Sequence, residues 1–320
     1  MYNILILSAG RRTKLVEYFV REFKGQGNVV ATDCSEYAPA LYRADKFYIV
    51  PRIDTPNYID TILNICKKES IKGIFSLIDP ELELLITHQD KFDKIGVKVI
   101  SSSKEVTNIC FDKYKMYEFC TENNINTVRT FIDVKEVMEL VEKNELNLPL
   151  FVKPRYGSAS LGISKITCMD DLQLLLEKND DLIIQEFMSG QEYGVDVYVD
   201  YISKEVVSIF IKKKLVMRAG ETDKSISVKD EKLLKMIEEF VVKLNVQGQC
   251  DIDVFEKDGD YYISEVNPRF GGGYPHAYEC GCNFPKNILN NLLGDKNKKE
   301  IGSYSDNVVM MKCDNLIIKK

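Results

Sequence analysis

The first hundred residues alternate short apolar runs with apolar positions at helical spacing. Residues 3–7 form one such run, and Leu15, Val16, Phe19, Val20 and Phe23 then fall on one helical face. Further strands are predicted at 28–32, 46–50, 73–77 and 97–100, with helices at 58–68 and 81–88. Strands alternating with helices predict parallel βαβ units in an open sheet. Ligands of such sheets bind at the carboxyl ends of the strands. Here those ends carry Ser8-Ala9-Gly10-Arg11-Arg12, Asp33 and Asp79-Pro80-Glu81.

Beyond about residue 101 the pattern changes. A helix is predicted at 112–123, a strand at 148–153, a helix at 170–176 and a strand at 182–187. The remainder is β-rich, with strands at 192–201, 205–211, 248–255 and 261–266 and one long helix at 230–244. The lysine runs at 212–214 and 296–299 are short, and a solvated surface is their default reading.

Composition narrows the function classes. The chain has 320 residues, 45% hydrophobic and 29% charged, the balance of an ordinary globular protein. Its net charge is −6, from 43 basic and 49 acidic residues, which argues against a nucleic-acid or anionic-membrane partner. Nine cysteines make an odd set with no disulfide-scaffold spacing. Cys280 and Cys282, with His276 nearby, allow a metal reading that ranks below free thiols in a reducing cytosol. The N-terminal apolar run precedes its positive charges, the reverse of a signal peptide, and is too short to span a bilayer. The expected location is cytoplasmic.

Three features carry chemistry together. Lys153 ends a strand and precedes Pro154-Arg155-Tyr156-Gly157-Ser158-Ala159-Ser160-Leu161-Gly162, a loop able to close over a polyphosphate and donate backbone N–H bonds. Gln185-Glu186-Phe187-Met188, followed by Glu192, offers a strand edge with apolar faces suited to adenine and a carboxylate for a ribose. Asp253 and Glu265 lie on two strands joined by the turn Lys257-Asp258-Gly259-Asp260, and Asn267 shares the face of Glu265. Two carboxylates and an amide oxygen suit Mg2+ with substrate phosphates, and Asp251 shares that face. Ser8 to Arg12 reads either as an anion-binding turn or as a plain strand–helix turn with solvated arginines.

The order of these pieces resembles the ATP-grasp superfamily, and in particular single-unit homologues of the carbamoyl-phosphate synthase large chain. The matching segments are FDKYKM at 111–116, FVKPRYGSASLGI at 151–163, QEFMSGQEYGVDV at 185–197, RAGE at 218–221, DIDVF at 251–255 and SEVNPRFGGG at 264–273. The resemblance implies an α/β fold, with an open parallel βα domain at 1–105 before a two-lobed α+β ATP-grasp module. Its small lobe would span 106–187 and its large lobe, with the metal site, 188–320.

It also implies roles. Lys113 and Lys153 would contact the ATP phosphates, and Tyr156, Gly157, Ser158, Ser160 and Gly162 would form the lid. The main chain at Glu186, Phe187 and Met188 would hold adenine, and Glu192 the ribose. Asp253, Glu265 and Asn267 would bind Mg2+, with Mn2+ as an alternative, and Arg269 would steady the transferring phosphoryl group. Arg218 and Glu221 are candidates for substrate contact. So are Arg11, Asp79 and Glu81, the two acids on the expectation that they are exposed at a strand end.

The expected activity joins a small-molecule carboxylate to an amine or other nucleophile through an acyl phosphate. The alternatives are a carboxyphosphate or carbamoyl-type half working with a partner chain, and an inactive nucleotide-binding regulatory subunit. There is no second ATP-grasp half, which disfavours the full two-step synthesis of carbamoyl phosphate. A homo-oligomer is left open.

Overall fold

The computed structural model describes residues 1–157, 164–176 and 181–319. Its first part runs β1 (Asn3–Leu7), α1 (Thr13–Phe23), β2 (Val29–Asp33), β3 (Lys46–Ile49), α2 (Tyr58–Lys68), β4 (Ile71–Ser76), α3 (Asp79–Thr87), α4 (Gln89–Asp93) and β5 (Lys98–Val99). The strands form one parallel sheet in the order β3-β2-β1-β4-β5. Ile4 and Ile6 of β1 pack with Phe19 of α1, whereas Leu5 and Leu7 pack with Ile59 and Ile62 of α2. Both faces of β1 are thereby covered, which is why its sequence is continuously apolar. The strand order reverses between β1 and β4, so the loops after them open a crevice at that switch point.

The middle of the chain supplies α5 (Lys104–Phe111), α6 (Lys113–Glu122), β6 (Thr130–Phe131), α7 (Val134–Glu142), β7 (Leu150–Pro154), β8 (Ser164–Ile166), α8 (Met169–Leu176) and β9 (Leu182–Glu186). Its four strands form an antiparallel sheet ordered β6-β9-β7-β8 around Val137, Leu150, Val152 and Ile184.

The last part holds β10 (Gln191–Val199), β11 (Val206–Arg218), β12 (Glu221–Ser227), α9 (Glu231–Lys243), β13 (Gly248–Lys257), β14 (Asp260–Asn267), α10 (Tyr274–Glu279), α11 (Phe284–Leu293) and β15 (Val309–Met311). These strands build an antiparallel sheet in the order β14-β13-β10-β11-β12-β15. Val195, Val197 and Val199 alternate toward α9, where Leu233, Ile237 and Phe240 receive them. The other face of β10 is left for polar side chains. Asp258 at φ 55° and Gly259 at φ 80° make the two-residue hairpin turn that fixes the pairing of β13 with β14.

The parallel sheet and the glycine loop share a core. Phe270, just before Gly271, packs its ring 5.7 Å from Phe19 and 5.6 Å from Phe75.

The expected α/β architecture is the observed one, with a parallel sheet first and antiparallel sheets after it. Helix α3 starts two residues earlier than its apolar spacing predicts, and β11 extends to Arg218. Helices α5, α7, α10 and α11 and strands β12 and β15 are found where the apolar pattern predicts no element. Among the described residues no helix is long and apolar enough to cross a membrane.

Candidate active site: a charged cleft between the sheets

A cleft of about 480 Å3 opens where the loops after β1 and β4 meet the polar face of the six-stranded sheet and the end of β7. One wall is acidic. Register places Asp253 opposite Glu265 and Asp251 opposite Asn267, so all four side chains share a face. Glu265 lines the cleft without a hydrogen-bond or ion-pair partner among the described residues. Burial, and then the charge of Asp253, push the Asp251 carboxyl up to about 7.

Opposite them stand lysines. Lys153 is only 8% exposed, and burial lowers its pKa although Glu265 pulls the other way. Lys113 is lowered likewise by burial, and its Nζ donates to the Gly157 carbonyl at 2.5 Å. Its position is fixed by its neighbour. Asp112 accepts from the Tyr114 N–H to cap α6 and takes two bonds from Arg155, Nε at 2.8 Å and Nη2 at 2.7 Å.

The lysine run at 212–214 is not a solvated surface, and this corrects the expectation. Alternation along β11 turns Lys212 and Lys214 inward, where they are 1% and 9% exposed. Lys212 pairs with the buried Asp196. Lys214 Nζ lies 2.7 Å from Glu192 and 2.6 Å from Asp253. Burial opposes its charge, but those two carboxylates outweigh burial and raise its pKa. Gly194 makes this possible, since a Cβ there would stand 3.0 Å from Lys212 Cε and 3.3 Å from Lys214 Cε. Burial, then Asp253, raise Glu192.

Asp79 and Glu81 are buried, at 6% and 1% exposure, which corrects their expected exposure. Asp-Pro-Glu is the first turn of α3, where proline and acids suit a helix start. Asp79 receives Arg269 Nε, at 3.0 and 3.1 Å to its two oxygens. Glu81 accepts from the Tyr58 hydroxyl and from Ser76 Oγ at 2.5 Å, and it does not line the cleft. Arg269 also donates to Asn267 Oδ1 at 2.9 Å, which ties together the switch-point helix, the guanidinium and the amide.

At the far end of the acidic wall Glu221 gathers cations. Arg11 and Arg12 both stand 3.2 Å from it, and Lys312 stands 2.9 Å away. Arg11 is mostly exposed, whereas Arg12 is the more enclosed, with its pKa lowered by burial against the pull of Glu221. Arg218 lies outside the cleft lining, exposed and paired with Asp223 at 3.1 Å and Asp314 at 3.2 Å.

Near the β9 edge the Glu186 N–H is taken by the Arg129 carbonyl, and its carboxylate faces Lys257 at 3.1 Å. The Phe187 ring packs against Phe151, which lines the cleft, and Met188 is buried. Tyr156 stacks on Phe111 beside Gly157, while Ser158, Ser160 and Gly162 lie outside the described residues. Cys280 and Cys282 are buried thiols, and His276 spends its ring nitrogens on Ser225 and the Val308 carbonyl.

The residues that the sequence reading passed over are Arg12 as distinct from Arg11, Lys212, Lys214 and Asp196. The period-two alternation of β10 and β11 was the available signal for the last three.

The acidic wall fits a hard divalent cation. No group of three His, Cys, Asp or Glu suited to a metal occurs among the described residues. Asp253 and Glu265 oppose one another with the Asn267 amide oxygen beside them, and Glu265 has no hydrogen-bond or ion-pair partner among the described residues, so these oxygens fit a hard cation that takes its remaining oxygens from a ligand.

Residues 4–100 match the family model described as PylC-like, N-terminal domain, and residues 110–273 match that of the ATP-grasp domain. The carbamoyl phosphate synthase large chain of a Thermoanaerobacter strain is 26% identical over 269 residues, 78% of this chain and 24% of that one. The chain thus spans about a quarter of the length of the carbamoyl phosphate synthase relatives it matches. A D-alanine–D-alanine ligase of Thermotoga petrophila is 26% identical over 228 residues, 65% of this chain and 73% of that protein. The biotin carboxylase domain of Hydrogenobacter thermophilus 2-oxoglutarate carboxylase, crystallised with MgADP and bicarbonate, aligns with a TM-score of 0.77 at 16% identity, covering 97% of this chain and 73% of that one. The ATP-grasp match covers half of the chain, which therefore belongs to the ATP-grasp family.

Proposed function

We propose that this protein is a Mg-ATP-dependent ligase joining a small carboxylic acid to an amine. The γ-phosphoryl group of ATP passes to a carboxylate oxygen, giving an acyl phosphate and ADP. The amine then attacks the acyl carbon, the C–O bond to phosphate breaks, and inorganic phosphate and a proton leave. The observation that carries this reading is the in-register pair Asp253 and Glu265, with Asn267 beside them, facing Lys153 across one cleft.

Lys113 and Lys153 bind the ATP phosphates, the main chain at 186–188 holds adenine and Glu192 takes the ribose. Tyr156, Gly157, Ser158, Ser160 and Gly162 cover the γ-phosphate. Asp253, Glu265 and Asn267 would hold Mg2+, which neutralises charge on the transferring phosphoryl group. Arg269, anchored by Asp79, turns its remaining N–H groups to that phosphoryl group. Arg12, at the Glu221 end of the cleft, orients the acceptor carboxylate. In this reading the division into 1–105, 106–187 and 188–320 separates the acceptor platform, the nucleotide lobe and the metal-bearing lobe. Phosphoryl transfer asks mainly for positioning and charge compensation, which is what these residues offer.

A second reading takes bicarbonate as the carboxylate. The named carbamoyl phosphate synthase relatives favour it. A phosphate-release screen with ATP, Mg2+ and paired carboxylates and amines tests both. Release that requires a carboxylate and an amine together supports the ligase, and bicarbonate-dependent release alone supports the second reading. Silence with every pair and with bicarbonate overturns both.

A further inference from the structure

A second cavity of about 280 Å3 lies apart from the cleft and shares none of its lining. It is bounded by β5, the segment leading into α5, the turn after β10 and Gln247, just before β13. Among the described residues no carboxylate lines it, but two lysines, Lys98 and Lys204, and three serines, Ser101 to Ser103, do.

Lys98 is half-buried, with its Nζ 4.3 Å from the centre of the Tyr201 ring. It has no hydrogen-bond or ion-pair partner among the described residues. Burial lowers its pKa, and the charge of Lys204 lowers it further, while Asp200 acts in the opposite sense. Asp200 is already committed. Its oxygens accept from the N–H groups of Ile202 and Ser203 and from the side chains of Asn291 and Asn297. Among the described residues the Lys204 side chain has only the Gln247 amide oxygen, at 2.8 Å. Lys98, half-buried and unpaired among the described residues, with the more exposed Lys204 beside it in a polar pocket, calls for an anion.

The surrounding groups are donors. Ser101 Oγ is buried with no hydrogen-bond partner among the described residues. The N–H groups of the first turn of α5, capped by Ser103, add partial positive charge at the same place. The Tyr201 hydroxyl is turned away against Gly248, where a Cβ would overlap it, so only the ring serves the cavity.

We propose that this cavity binds a phosphate group, through Lys98, Lys204 and the start of α5, at a site separate from the proposed ATP cleft. Free phosphate and the phosphate of a short monoester share this chemistry, and the volume admits either. Ser102 Oγ donates to the Gln247 carbonyl at 3.0 Å and accepts from its N–H at 2.9 Å. An anion here therefore braces the parallel sheet against the start of β13, the strand of Asp251 and Asp253.

The test is calorimetry and hydrogen exchange on the full chain, without ATP, using inorganic phosphate and ribose 5-phosphate as probes. Phosphate is expected to slow exchange at 98–104 and 201–205, and Lys98→Gln to weaken binding about tenfold or more. Lys204→Gln, at a more exposed position, should weaken it roughly threefold and guards against misfolding of the first variant. Lys153→Ala, in the cleft, should leave the phosphate-induced protection at 98–104 unchanged even if the total calorimetric signal falls, so failure here is distinct from failure of the ligase reading. Tighter binding of ribose 5-phosphate identifies a monoester occupant, and equal or weaker binding identifies the free anion. Absence of protection at 98–104, or unchanged phosphate affinity in both lysine variants, overturns the proposal.

Discussion

Arg269 and Asp79, 190 positions apart, meet as a buried pair in which Arg269 Nε lies 3.0 and 3.1 Å from the two carboxylate oxygens. Burial works against the guanidinium charge, and Asp79 then Asp251 outweigh it. The pair fastens the first turn of α3 to the segment after β14. Asp79→Ala should therefore destabilise the fold by about 3–5 kcal/mol, because it leaves a buried cation uncompensated. It should also lower turnover, since Arg269 loses its orientation. Urea unfolding and phosphate release measure the two effects. An unchanged unfolding midpoint would show that the pair contributes nothing.

Glu265 differs in having no hydrogen-bond or ion-pair partner to lose among the described residues. Glu265→Gln removes a carboxylate that faces Asp253 across the hairpin, so its melting temperature should hold or rise. Nucleotide turnover should fall about 100-fold or more, as for removal of a preorganised electrostatic group. Lys153→Ala should do the same to turnover. Wild-type rates in either variant would remove these residues from the site.

Lys214 is shared by two carboxylates, 2.7 Å from Glu192 and 2.6 Å from Asp253. Lys214→Met leaves both acids facing one another and should cost about 1–3 kcal/mol of stability, discounted because each acid keeps some contact with water. Adding Glu192→Gln removes half of the repulsion and should recover part of that loss. Strict additivity in the double-mutant cycle would mean that the three charges are not coupled.

The legible parts of this fold are the local ones. Continuous apolar runs and helical spacing mark the parallel sheet, and the turn from Lys257 to Asp260, with alternation on either side, is enough to set Asp253 opposite Glu265. The inward lysines were hidden, because three in a row resemble a solvated face until Asp196, Glu192 and Asp253 arrive from neighbouring strands. Asp79 was misread for a similar reason. Its proline and acids already announced a helix start, but the buried guanidinium that claims it comes from the far end of the chain.

His276 gives a pH signature separate from the cleft acids. It is 1% exposed, and burial, then Lys212, lower its pKa from 6.5 to about 4. At His276 the native state therefore binds fewer protons than the unfolded chain between those values, so its own contribution to stability rises with pH across that window. Asp251, raised to about 7, contributes with the opposite sign over the same range, so the His276 contribution is read as a difference between variants. In His276→Gln the slope of unfolding free energy against pH over this window should be less positive than in wild type. An identical slope would assign the acid sensitivity to other groups.

The glycine loop separates two ends of the cleft, and single methyl groups should tell them apart. A Cβ on Gly271 would overlap the carboxylate of Asp251, a short side chain on a central strand with little room to yield. A Cβ on Gly272 would stand 2.6 Å from Glu221 Cδ and 2.7 Å from Arg12 Nη1, both at the ends of longer side chains. Gly271→Ala should therefore cost about 1–3 kcal/mol, as overpacking does, and reduce kcat by displacing the strand that carries Asp253. Gly272→Ala should keep most stability and raise KM for the acceptor carboxylate, because it shifts Arg12 and Glu221, while KM for ATP stays near wild type. The split is the informative quantity. If Gly272→Ala raises KM for ATP instead, the Arg12 end of the cleft belongs to the nucleotide, and the acceptor must enter elsewhere.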